Sequence, residues 1–209
     1  MFPALYSLLI MKKQIIAVAV LSILLSGAAI AQQAAEGPWM VRARAVHLDS
    51  VNGDGTGLGL GLSVNNKWMP EVDFSYFLDK NVALELVLTV PQKHTVYSNG
   101  ADIGSLKHLP PTLMVQYHFP MSGFKPYVGA GVNYTRFSSV NLPAGVDIER
   151  SSWGPALQAG VDIPLSGNLS LNLDVKKVYI RTDVSVAGVN RGTFKIDPVL
   201  FGVGLGWRF

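Results

Sequence analysis

The sequence predicts an all-β protein, an eight-stranded antiparallel transmembrane β-barrel. Three observations carry that prediction. Apolar and polar residues alternate along about eight segments, the connections alternate between long and short, and no apolar run after residue 31 is long enough for a spanning helix. Alternation with period two marks a strand whose two faces meet different surroundings. A bilayer admits only helices or closed barrels, because every backbone N–H and C=O must find a partner inside the structure. With 49% hydrophobic and only 15% charged residues, the chain has apolar surface to cover, and here it comes in strand order rather than helix order.

The segments follow one another with a consistent rhythm. In 39–45, Trp39, Val41, Ala43 and Ala45 alternate with Arg42 and Arg44. In 68–78, Trp68, Val72, Phe74 and Tyr76 alternate with Glu71, Asp73 and Ser75. Residues 82–90 set Val82, Leu84, Leu86 and Leu88 against Ala83, Glu85 and Thr89, and 112–119 set Leu113, Val115 and Tyr117 against Gln116 and His118. Val128, Ala130, Val132 and Tyr134 alternate with Gly129, Gly131 and Asn133, and Trp153, Leu157 and Val161 share a face opposite Gln158 and Asp162. Leu169, Leu171, Leu173 and Val175 alternate with Asn172, Asp174 and Lys176, and the last segment alternates Val199 to Phe209 with Gly202, Gly204, Gly206 and Arg208. The connections 49–65, 92–107, 138–151 and 181–195 are long, whereas 79–81, 120–123 and 164–168 are short and rich in Pro, Gly, Asn and Asp. An even strand number with long loops on one side is the pattern of outer-membrane barrels.

A soluble barrel and a membrane barrel alternate alike, so the ends of the strands have to decide. Trp39, Trp68, Tyr76, Tyr117, Tyr134, Trp153 and Trp207 lie towards strand ends on the apolar face, as interfacial girdles do. The closing strand ends on Phe209 with Leu205 and Trp207 on its face, similar to the signal read by the outer-membrane assembly machinery. The expected surroundings are therefore outer-membrane lipid and lipopolysaccharide.

The N-terminus reads as an export signal. Lys12 and Lys13 precede an apolar run over 15–25, and Ala29-Ile30-Ala31 supplies a small-x-small cleavage pattern. The run is short for a transmembrane anchor of about 20 residues. Residues 1–31 are thus expected to be an N-terminal extension plus cleavable signal, with translation starting at Met11, and 32–209 the barrel.

Other chemistry finds little support. The formal charge of +3 includes Lys12 and Lys13, so it does not argue for nucleic acid. Cysteine is absent, and His47, His94, His108 and His118 show no metal-ligand spacing, so neither metal nor cofactor is expected. A lipid-acting enzyme would need a Ser–His pair. Ser152 or Ser139 with His94 or His108 is the only formal option, without a supporting motif, and the protein is expected not to be an enzyme. The glycine-rich stretch 52–61 lacks the Gly-Lys-Ser/Thr ending of a phosphate loop and has too few acids for a calcium site, so flexibility is its expected role.

Threading the strands by direction gives the inward positions a rough depth. Arg42, Arg44, Asp73, Glu85, His118, Asp174 and Arg208, with Gln116, Asp162 and Asn172, fall near the periplasmic end and should pair as a polar plug. Val46, Leu48, Met69, Val87, Met114, Phe137, Val178, Ile180 and Leu200 line the outer half. Two readings stay open: an apolar path for solutes, or the close packing of a small filled barrel. Pro91 and Pro110-Pro111 stand at the outer ends of their strands and either interrupt pairing to leave a lateral opening or simply end the strands. Lys176 is expected to pair with Glu85 or Asp174, and Lys177 to face lipid and snorkel.

His108-Leu109-Pro110-Pro111-Thr112-Leu113-Met114 and Pro126-Tyr127-Val128-Gly129-Ala130-Gly131-Val132-Asn133-Tyr134-Thr135 are similar to the start of the fourth strand and to the fifth strand of the OmpW family of outer-membrane proteins, AlkL-like members included. Asn81 to Leu86 with Thr89-Val90-Pro91, Ser152 to Ala156, and Gly204 to Phe209 fit as well, so the resemblance covers 38–209. It implies a narrow apolar channel for passive uptake of small hydrophobic molecules, with lateral exit into the membrane. The alternative is a structural or receptor-type barrel whose long loops bind phage, host surfaces or lipopolysaccharide. The export reading has a direct consequence: N-terminal sequencing of the protein recovered from outer membranes should begin at Gln32.

Overall fold

The computed structural model describes residues 37–209; the expected signal lies outside the described residues. Fifteen strands are present among the described residues. Eight of them close the barrel: β1 (Trp39–Asp49), β4 (Lys67–Phe77), β5 (Val82–Thr89), β8 (Thr112–His118), β9 (Lys125–Asn141), β11 (Ser151–Ser166), β12 (Leu169–Val178) and β15 (Val199–Arg208). Each pairs antiparallel with the next, and β15 returns to β1 from Met40↔Arg208 to Asp49↔Val199. The remaining bonds of the seam run both ways between Trp39 and Phe209: Phe209 N–H donates to Trp39 O at 2.8 Å and Trp39 N–H to Phe209 O at 3.1 Å.

The alternation sorts as expected. Phe74, Leu84, Leu86, Val115, Val132, Leu157, Leu173 and Val203 are exposed on the outer wall, whereas Arg42, Asp73, Glu85, Gln116 and Asn172 are completely buried inside. This is the inverse of a soluble barrel and fits a wall that faces hydrocarbon. Trp39 packs edge-on against Tyr76 at the short-turn end, and Tyr134 against Trp153 at the other, with Trp153 and Trp68 among the most exposed residues.

The long connections differ from the expected loops, because they carry seven further strands. They are β2 (Gly53–Gly55), β3 (Leu62–Val64), β6 (Gln92–Ser98), β7 (Ala101–Leu109), β10 (Val146–Ile148), β13 (Arg181–Val186) and β14 (Val189–Lys195). β6 and β7 form a hairpin that extends the wall outward, joined to β9 and β3, while β10, β13, β14 and β2 form a separate four-stranded sheet. Asn99 and Gly100 both have positive φ, as do Ala187 and Gly188, the conformation that a two-residue hairpin turn requires. Lys93 and Lys107 point outward from the β6–β7 hairpin, which places this extension beyond the lipid band. The glycine-rich stretch is also shaped rather than loose: Gly57, Gly59 and Gly61 hold positive φ, and Asp54 accepts hydrogen bonds from the Thr56 N–H and hydroxyl and the Gly61 N–H.

The seam tolerates no side chain at one of its glycines. A Cβ at Gly204 would overlap the Ala43 carbonyl oxygen and crowd Arg44 Cα. Gly204→Val should therefore block closure, seen as loss of the faster-migrating folded band in unheated electrophoresis, with Gly53→Ala, where a Cβ meets only ordinary contacts with the Lys195 side chain, as the tolerated control.

Candidate functional site

The lower lumen is filled by an ion network. Arg42 forks onto Asp162, with Nε donating to Oδ1 at 3.1 Å and an Nη to Oδ2 at 2.7 Å. Its other Nη donates to Ser75 Oγ at 2.8 Å and lies 3.4 Å from Asp73 and from Glu85. Arg44 donates to Asn172 at 2.6 Å and Glu71 at 2.8 Å, and pairs with Asp73 at 2.8 Å. Lys176 donates to Glu71 at 2.8 Å and Asp174 at 2.6 Å. Each charge therefore meets an opposite one, which burial demands. The neutral partners continue it: Tyr127 Oη donates to Asp174 at 2.7 Å, Gln158 donates to Asp174 at 2.8 Å, and Gln116 donates to Gln158 at 2.9 Å. His118 bonds Gln116 and stacks on Tyr127 and Phe77.

The expected inward charges Arg42, Arg44, Asp73, Glu85 and Asp174 come together in this network, and two details differ from the expected set. Arg208 lies at the periplasmic mouth, as expected, with its guanidinium over the Phe77 ring and its Nε donating to Gly37 O. Lys176 chooses Asp174 as expected but takes Glu71 rather than Glu85, because Arg42 and Arg44 already occupy Glu85. Tyr127 and Glu71 were not in the expected set. Gly160 marks the Tyr127 position, since a Cβ there would overlap the tyrosine hydroxyl. Lys177 faces outward, and its ammonium reaches the Asp197 carbonyl beyond the strand end, as a snorkelling lysine does.

All nine residues of the expected apolar lining are buried in one cluster above this network. The cluster continues upward through Leu62, Val96, Leu106, Ile148, Val184 and Phe194 of the outer extension. Two cavities lie within it. The upper one, about 180 Å³, is lined by Leu60, Leu62, Val96, Leu106, Ile148 and Phe194 among others. An apolar cavity of about 150 Å³ accepts a molecule the size of benzene. The lower one is about 20 Å³, room for a single water. Its floor is Glu71 and Lys176, its sides include Val87 and His108, and Leu88, Thr89 and Pro110 close it towards the wall.

The wall itself is interrupted there. The β5–β8 ladder ends at Val87↔Thr112 and the β6–β7 ladder begins at Gln92↔His108. Residues 88–91 and 109–111 face each other unpaired across that interval. Pro91, Pro110 and Pro111 have no N–H to lose. Carbonyls beside the interruption find other donors: Asn133 donates to Pro110 O at 3.1 Å and to Pro111 O at 3.2 Å, Pro111 O also accepts from Tyr134 N–H at 3.0 Å, and Gln92 donates to Val90 O at 2.8 Å. Leu88 lines the lower cavity and yet is exposed on the outer wall.

His94 and His108, far apart in sequence, meet in the extension with ring centroids 4.6 Å apart. Neither bonds a serine: His94 Nδ1 lies 3.0 Å from Asn65 O, the His108 nitrogens have no partner, and Ser152 Oγ accepts from Arg181 N–H. Burial holds both imidazoles neutral, pushing His94 down to about 4 and, with His94 alongside, His108 down to about 3.

The OmpW family model matches residues 35–209. The chain belongs to the OmpW family. Outer membrane protein W of Escherichia coli K12 is 35% identical over 214 residues, covering 95% of this chain and 100% of that one. The crystal structure of the outer membrane protein OprG from Pseudomonas aeruginosa superposes with a TM-score of 0.71 at 28% identity, over 83% of this chain and 97% of that one. PahQ of Pseudomonas aeruginosa, named as a dibenzothiophene metabolism operon protein, is 29% identical over 146 residues, 66% of this chain and 69% of that one. This OmpW-family chain is a bacterial outer-membrane barrel. Breaking its ion network should be costly: Arg42→Met, which strands Asp162, is expected to cost about 3–5 kcal/mol, measured as a lower urea midpoint in refolding into detergent or lipid.

Proposed function

We propose that this barrel passes small hydrophobic molecules from outside into the outer membrane, down an apolar sleeve and out sideways through the wall. The observation that carries the reading is a coincidence of level. The sleeve ends on the Glu71–Lys176 pair at the same height as the unpaired interval between 88–91 and 109–111. A hydrophobic solute that reaches this level faces buried charge below, which it cannot solvate, and an interrupted ladder beside it. The upper cavity offers a first apolar resting place. The resemblance of the chain to PahQ, named for dibenzothiophene metabolism, favours apolar cargo over hydrophilic solutes. The receptor-type alternative needs no sleeve above a charged floor.

Uptake of a radiolabelled hydrophobic solute by cells with and without the protein tests the reading. The protein should accelerate uptake, and Val87→Arg, which puts a charge into the lower cavity, should abolish the gain. The exit is tested separately in this cysteine-free chain by a Thr89→Cys, Pro110→Cys pair across the gap. Oxidative cross-linking should stop uptake and reduction restore it. Unchanged uptake in the cross-linked protein would exclude lateral exit, and equal uptake with and without the protein would exclude the channel.

A further inference from the structure

The inward face of the β6–β7 hairpin carries a feature that an apolar sleeve does not need. His94 and His108 are both almost fully buried, and His94 Nε2, His108 Nδ1 and His108 Nε2 have no hydrogen-bond partner. A phenylalanine or leucine at either place would keep the sleeve apolar and leave no buried polar atom unpaired. The pair also sits between the two cavities. His108 lines the lower one, and Leu106, the cross-strand partner of His94, lines the upper one. Any solute that moves from the upper cavity to the wall gap passes these rings.

We propose that the His94–His108 pair is a hydrogen-bonding station that selects solutes with an apolar body and one neutral hydroxyl or carbonyl group over plain hydrocarbons. The proposal rests on the channel reading above and names its substrate class. A neutral imidazole presents one N–H donor and one bare nitrogen acceptor. His94 donates its Nδ1–H to Asn65 O and offers only its bare Nε2, which accepts a hydrogen bond from a hydroxyl, while His108 offers both a bare nitrogen and an N–H for a hydroxyl or carbonyl oxygen. With both rings neutral, neither offers the positive charge that would draw a carboxylate out of water. Gln92, the other polar side chain on this inward face, is already engaged by Val90 O, which leaves the imidazoles as the free partners.

Uptake of 1-dodecanol and n-dodecane, compared in cells carrying the wild type, the His94→Phe/His108→Phe variant or no protein, tests it. One hydrogen bond is worth about a three- to tenfold preference. The ratio of protein-dependent dodecanol to dodecane uptake should fall by about that factor in the variant, with dodecane uptake retained. An unchanged ratio alongside protein-dependent dodecane uptake overturns the station and leaves the channel standing. No protein-dependent uptake of either solute overturns both. Should the double variant fail to fold, imidazole ¹⁵N resonances of the wild type in lipid bilayers decide the matter. 1-Dodecanol should shift the His94 and His108 signals and n-dodecane should not, whereas no dodecanol-specific shift would assign the rings to a bridging water and overturn the proposal.

Discussion

Closure of the hydrogen-bond ladder is the constraint on which everything else in this molecule depends. In lipid an unpaired backbone group finds no water, so the last strand must return to the first, and β15 does so along the whole of β1. Closing at eight strands leaves an interior only wide enough for side chains. The lumen therefore has to be filled, and the filling is divided. Below, Arg42 and Arg44 reach from the seam strand across the interior to Glu71, Asp73, Glu85, Asp162 and Asn172 on β4, β5, β11 and β12. Such buried ions add little net stability when whole and cost much when broken, so they act as cross-braces that must all be present. Above, apolar side chains fill the space around the two cavities.

Much of this was legible in the sequence because membrane strands write their two faces separately. Arg42, Arg44, Asp73, Glu85 and Asp174 declared themselves as inward by the apolar neighbours on either side, and the girdle tryptophans fixed which face was lipid. The loops hid their strands. Asn99-Gly100 was a readable turn signal, yet the register behind it shifts between Val96 and Tyr97, and no count from the turn would have brought His94 beside His108. Tyr127 was missed because its partner position is a glycine: the sequence records the space at Gly160 but not which side chain fills it. The choice of Glu71 over Glu85 by Lys176 depends on which carboxylates the arginines have taken, a competition in three dimensions that alternation does not encode.

The prolines show how a closed ladder accommodates an interruption. Each removes a donor that would otherwise stand orphaned, and Asn133 and Gln92 satisfy acceptors that remain. The two banks are held by different neighbours. Leu88 and Thr89 remain paired to Val72 and Glu71 of β4, while Leu109 is paired to Arg136, and the Pro111 carbonyl accepts from Tyr134 N–H, both on β9. Separating the banks therefore breaks no ladder hydrogen bond, and what resists it is side-chain packing around a cavity of about 20 Å³. A wall that is elsewhere held by paired backbone is held at this one level by side-chain packing between the two banks, where Leu88, Thr89 and Pro110 meet over the lower cavity.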